Sequence, residues 1–159
     1  MTVKAGAGRL DPYRRRGFEC LCGNARMAAR ALTVLYDEYL APAGVSAGQL
    51  AVLWCVVGAQ PVSMGDVARL LVMDKTTVSR NVAALVAAGL VVVRPGETDA
   101  RVKALASTVK GQRTFARAMP LWESAQAHVA ERMGSAKFSA AVLQTRRLAR
   151  ALRGPAPAR

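Results

Sequence analysis

Apolar side chains recur along this chain in two rhythms. From about Phe18 to Leu40, Leu21, Ala25, Ala28, Leu32, Leu35 and Tyr39 alternate at spacings of four and three, the stripe of a helix packed on another helix. Pro42 and Gly44 end that helix. Ser46-Ala47-Gly48-Gln49 has capping-box form and opens a short, very apolar helix through Leu50, Leu53, Trp54 and Val57, which Gly58 and Pro61 stop. Ser63, with Asp66 three residues on, caps another short helix whose inner face is Val67, Leu70 and Leu71. A turn at Val72 to Asp74 leads into a further helix, Lys75 to Ala88, terminated by Gly89. The rhythm then changes. Leu90 to Val93 and Val102 to Leu105 are β-rich, and turn-forming residues lie between them, the pattern of a hairpin. Beyond Gly111 the stripe Phe115, Met119, Trp122, Gln126, Val129, Met133 predicts a long helix, kinked at Pro120. Gly134 breaks it, and Ser135 caps a last helix through Phe138, Val142, Leu148 and Leu152.

The helix from Lys75 to Ala88 is the informative one. Val78, Val82 and Leu85 fall within about 60° of one another and form its inner face. Thr76, Arg80, Ala83 and Ala87 lie opposite, flanked by Thr77 and Ser79, and the segment contains no acid. A helix built only for solvation would carry Glu and Lys there. Short polar and cationic side chains instead let the backbone approach a major groove, where Thr, Ser and Arg reach base edges. Two short helices joined by a tight turn, the second with such a face, make a helix-turn-helix. The hairpin after it forms a two-stranded β wing whose tip, Arg101 beside Asp99, is placed to enter a minor groove.

Charge and composition agree. The 159 residues carry 23 Lys+Arg against 10 Asp+Glu, a net +13 that calls for a polyanionic partner. An apolar share of 52% builds a sizeable core in a single domain, while 5% aromatic residues argue against a large aromatic catalytic cleft. One histidine, with no HExxH, CxxC or Gly-rich phosphate loop, leaves a metalloenzyme or nucleotidase nothing to stand on, so no enzymatic activity and no cofactor are expected. Pro42, Gly44 and Pro61 cut the uncharged run 39–65 into pieces too short to cross a bilayer. Three cysteines fit a reducing cytoplasm rather than a disulfide framework. Residues 1–17 are expected to form a basic, flexible arm and 154–159 a tail, leaving one domain over 18–153. Within it, 46–111 is the winged helix-turn-helix. The apolar stripes of 18–41 and 112–153, from both chain ends, need a partner, and pairing across a two-fold axis would bury them.

This layout resembles the MarR family of bacterial transcription regulators. The resemblance rests on Met73-Asp74-Lys75-Thr76-Thr77-Val78-Ser79-Arg80-Asn81, Leu85 with Gly89-Leu90-Val91, Asp99-x-Arg101-x-Lys103, and Thr108-x-x-Gly111. Ser107 departs from it, standing where a leucine usually precedes the threonine. The resemblance implies a mainly α winged-helix homodimer that binds a pseudo-palindromic DNA operator and is released by a small molecule or an oxidant. On that pattern Thr76, Thr77, Ser79 and Arg80 read bases, with Lys75 and Asn81 in the same interface. Arg101 reads the minor groove, and Arg94 and Lys103 hold phosphates. A general basic nucleoid-type protein is the rival reading of the charge.

The cysteines leave more than one role open. In a helix Cys20 and Cys22 are about 200° apart and share no site. Cys22 and Tyr36, fourteen residues on, fall within about 40° of one face, which resembles the cysteine and tyrosine arrangement of the family's organic-hydroperoxide sensors. Neither a tyrosine at Ala47 nor a resolving cysteine in the last helices completes that pattern. A packed apolar thiol, a redox sensor and a soft-metal site using Cys55 are the alternatives. Tyr36, Trp54 and Trp122 are candidates to line an effector pocket, and His128 is expected to be a partly exposed polar residue.

Overall fold

The computed structural model describes residues 12–96 and 103–153. Two compact units divide the chain, Met1–Val34 and Leu35–Arg159.

The first unit holds the start of the helical N-terminal region, and the expected single helix is broken. α1 spans Pro12–Glu19 and α2 spans Leu21–Leu40, with Cys20 outside both. The Asn24 amide donates to the Phe18 and Cys20 carbonyls at 2.7 and 2.9 Å, satisfying acceptors at the break. The Cys20 sulfur accepts from the Gly23 N–H at 3.4 Å and serves as the N-cap of α2. The arm expected over 1–17 is therefore helical from Pro12 onward.

The second unit follows the predicted order closely. After a 3-10 turn at Ala41–Ala43, α3 (Ala47–Gly58) starts on the full Ser46–Gln49 capping box. The carboxylate of Asp37 accepts from the Ala47 N–H at 2.6 Å and adds a second cap. Leu50, Val52, Leu53 and Val56 of α3 are fully or almost fully buried. Around this apolar rod pack α4 (Met64–Leu71), α5 (Lys75–Ala87), α6 (Val109–Met133) and β3 (Lys103–Ser107). Inward-facing Val67, Val78, Val82, Leu85 and Leu105 complete the core.

The wing has one more strand than expected. β1 (Val62–Ser63), β2 (Val91–Pro95) and β3 form an antiparallel sheet in the order β1-β3-β2. Val62 and Val93 both stand opposite Leu105. A two-residue strand is too short to show alternation, and Ser63 also carries the N-cap of α4, so the sequence pattern conceals it.

At the C-terminal end α6 runs on through Pro120 as one helix, although proline has no N–H to offer the Ala116 carbonyl. α7 spans Ser135–Ala151. Its N-cap is Gly134 at φ 82° with no side-chain cap, so Ser135 is the first helical residue rather than the cap. α7 packs on α6 but buries no residue of its own, and Val142, Leu143 and Leu152 stay exposed. Among the described residues no single helix is long and apolar enough to cross a membrane.

Candidate nucleic-acid interface

α4, its turn and α5 make the helix-turn-helix, and each junction has a visible cause. Ser63 accepts from the Asp66 N–H at 3.0 Å and donates its hydroxyl to the Asp66 carboxylate at 2.6 Å. Val72 takes the left-handed conformation at φ 54°, which ends α4 and turns the chain toward α5. Asp74 then caps α5, accepting from the Thr77 N–H at 2.8 Å and the Thr77 hydroxyl at 2.7 Å. Both carboxyls are held below the usual aspartate value. For Asp66 the main cause is the Ser63 hydroxyl, and for Asp74 the backbone N–H of Thr77.

These junctions aim one face of α5 outward. Val78, Val82 and Leu85 are 1%, 4% and 1% exposed and anchor the inner face on α3. Thr76, Arg80 and Ala83 are exposed on the other side, with Lys75 and Ser79 exposed along its edge. Arg94 and Lys103 are also exposed, on β2 and β3. Arg94 stands opposite Ala104 and Lys103 opposite Pro95, so the two cations project from opposite faces of the ribbon. Arg101 and Asp99 lie outside the described residues.

One expected base-reader, Thr77, and a second residue expected in the interface, Asn81, have other employment. The Thr77 hydroxyl is donated to the Asp74 cap. Asn81 is half-buried, donates to the Thr77 carbonyl at 2.9 Å, and lies so near Gly48 that an added Cβ there would meet its Oδ1 at 3.3 Å. Asn81 therefore fits α5 against α3. Periodicity put Thr77 on the flank of the outer face, where helix faces are divided least sharply, whereas Asn81 was included only through the resemblance and stands about 40° from inward-facing Leu85.

The far end of α5 is tied down by residues that sequence reasoning treated only as spacing. Thr108, the N-cap of α6, donates its hydroxyl to the Gly89 carbonyl at 2.8 Å and accepts from the Gly111 N–H at 2.9 Å. The Lys110 ammonium donates to the Ala88 carbonyl at 2.7 Å, placing a cation on the C-terminus of α5. Ser107 is likewise engaged. Its N–H and hydroxyl both donate to Gln60 Oε1, at 2.9 and 2.8 Å, so the departure from leucine gains a polar clasp across the sheet.

The candidate effector residues fall into separate places. Cys22 and Cys20 are exposed, whereas Cys55 is half-buried and its thiol is pushed up by burial. The Tyr36 hydroxyl donates to Gln126 Oε1 at 2.6 Å, joining α2 to α6, and burial raises its pKa. Trp54, 41% exposed, stacks edge-on with Phe115 at 5.5 Å and Trp122 at 5.2 Å. His128 is half-buried, its Nδ1 2.9 Å from the Tyr39 hydroxyl. Among the described residues no group of three or more His, Cys, Asp or Glu is placed to hold a metal ion.

Comparison with known proteins places this geometry. A model of the MarR family matches residues 43–102. No curated protein sequence matches the chain. The M. tuberculosis transcriptional regulator MosR, solved in complex with DNA, is 32% identical over 85% of this chain and 99% of its own, with a TM-score of 0.71. The repressor CouR, bound to a 23-mer duplex, is 22% identical over 89% of this chain and 99% of its own, with a TM-score of 0.76. A mutant MarR from E. coli in complex with operator DNA is 18% identical over 87% and 99%, with a TM-score of 0.76. The last two likenesses bear on the fold.

Proposed function

The chain belongs to the MarR family of DNA-binding transcription regulators, and from that premise we propose that it is a homodimeric repressor of a palindromic operator, released by a small effector. The observation that carries this reading is the outer face of α5, where Lys75, Thr76, Ser79 and Arg80 are exposed together without an acid among residues 75–87. Its first turn presents one cation, Lys75, to a phosphate, and Thr76, Ser79 and Arg80 read base edges in the major groove. Arg94 and Lys103, on opposite faces of the wing's base, are placed for phosphates of the neighbouring backbone, and the minor-groove role goes to Arg101 on the family's pattern. That MosR, 32% identical, was solved in complex with DNA supports DNA as the partner.

The dimer is supported by the apolar side chains left uncovered at both chain ends. Leu21, Leu32, Val142, Leu143 and Leu152 are between 42% and 73% exposed. In such a dimer the two α5 helices lie about 34–36 Å apart, one turn of DNA. An effector entering beside Trp54 and Trp122 would press α3 and α6, the helices between which the aromatic cluster stands. A second trigger, oxidation of Cys22, is favoured by that thiol's exposure one residue inside α2.

Selecting bound fragments from genomic DNA tests the reading. It predicts an enriched inverted repeat with half-sites one helical turn apart, protected by the protein in footprinting. Uniform recovery of all sequences would instead support a general basic nucleoid-type protein.

A further inference from the structure

The outer face of α5 offers a narrow chemical repertoire. Thr76, Arg80 and Ala83 fall within about 60° of one another and are all exposed, with Ser79 at the edge. Positions 76, 79, 80 and 83 are spaced i, i+3, i+4 and i+7, the set from which a helix lying in the major groove reaches base edges. They span about 10.5 Å along the helix axis, the length of three base-pair steps of about 3.4 Å. Side chains that read adenine or cytosine are missing from this face. α5 contains no Gln, Asp or Glu, and its one Asn, Asn81, is bonded to the Thr77 carbonyl and lies against Gly48 of α3. Asp74, just before the helix, has both carboxylate oxygens bonded to Thr77.

What the face does present is one guanidinium and two methyl groups. Arg80 has no carboxylate partner among the described residues, and its fork of donors fits guanine O6 and N7. Ala83 presents a methyl alone, and Thr76 carries one beside its hydroxyl. The matching apolar group in a major groove is the C5-methyl of thymine. A side chain as short as that of Ala83 also lets the α5 backbone come close enough to the bases for the contact. Resting on the reading of α5 as the base-reading helix, we propose that Ala83 is a specificity-determining residue, and that each operator half-site holds a G·C pair with a T·A pair on either side, within two base pairs of it. Arg80 takes the guanine, Ala83 packs on one thymine methyl and Thr76 packs on the other. Ala83 thus selects sequence without a hydrogen bond to give.

The test takes the full chain and the operator recovered by selection, with deoxyuridine replacing thymine at one position at a time. Uracil keeps every hydrogen-bonding group of thymine and lacks only the methyl. At each of the two thymines beside the guanine, affinity should fall about fourfold, the scale of one buried methyl group. Ala83→Gly should remove the uracil effect at one of these positions, and Thr76→Ser, which keeps the hydroxyl, at the other. Glycine also lowers the helix propensity of α5, so thymine and uracil duplexes are compared within each variant. Selected half-sites without the flanking thymines, or a uracil operator bound as tightly as the thymine one, overturn the proposal. So does a uracil effect that persists unchanged in both variants. If the proposal fails in any of these ways while Arg80→Ala still loses preference for the operator, α5 remains a base reader and only the methyl recognition falls. If selection enriches no sequence at all, base reading by α5 falls and takes the proposal with it.

Discussion

A Cβ on Gly111 would stand 2.0 Å from the carbonyl oxygen of Leu90 and 3.0 Å from its carbon, so α6 begins pressed against the chain leaving α5. Only glycine permits this approach, because the obstacle is backbone and cannot swing aside. Gly111→Ala must push α6 off Leu90, at a cost of about 3 kcal/mol or more. Urea unfolding measures it, and stability near wild type would show that the junction yields.

Thr108 closes the same joint with its hydroxyl. Thr108→Ala loses the α6 cap and the bond to the Gly89 carbonyl and should cost about 1–2 kcal/mol. Thr108→Ser keeps both bonds and should recover most of that stability. Equal loss in the two variants would assign the effect to the methyl group.

The cations should separate by role. Lys103→Ala is expected to weaken binding about equally on all duplexes and flatten the salt slope by about one unit, as for a phosphate contact. Arg101→Ala should cost about 1–3 kcal/mol on the operator. An unchanged salt slope for Lys103→Ala would take the base of the wing off the DNA backbone.

Acid should loosen the helix-turn-helix first. Asp66 and Asp74 sit below their ordinary value of 3.8 in the folded chain. Their help to folding is therefore complete above that value and is lost as pH falls through the lower folded values. Asp74→Asn, neutral at every pH, should lower stability near neutral pH and make the loss of helicity in acid less dependent on pH. An unchanged transition would show that the Asp74 cap does not govern it.

Thiol chemistry follows burial. Iodoacetamide should label the exposed Cys20 and Cys22 well before Cys55, whose thiol is both half-buried and raised in pKa. Faster labelling of Cys55, followed by mass spectrometry, would mean that α3 opens readily. If Cys22 is the oxidant trigger, Cys22→Ser should stay on its operator under hydroperoxide while the wild type leaves.

The helix-turn-helix was legible because its parts have local causes. Ser46, Ser63 and Asp74 cap helices that start where the hydrophobic period starts, and Val78, Val82 and Leu85 repeat with the helix. The break at Cys20 was not legible, because it depends on the Asn24 amide reaching two carbonyls while the apolar stripe runs on from Leu21. Nor were the duties of Thr77 and Asn81, since composition places a polar side chain on a face without saying which neighbour takes its hydrogen bond. Ser107 is the same lesson. Its partner Gln60 is 47 residues away in sequence, and only the folded sheet brings them together.

Whether the outer face of α5 reads a specific sequence comes down to a ratio. Affinity for the selected operator is measured against a scrambled duplex at one salt concentration, for wild type and for Arg80→Ala. Wild type should prefer the operator by about 10³-fold or more, and Arg80→Ala should lose about tenfold of that preference. A wild-type ratio near one, or a ratio untouched by Arg80→Ala, would contradict base recognition by this helix.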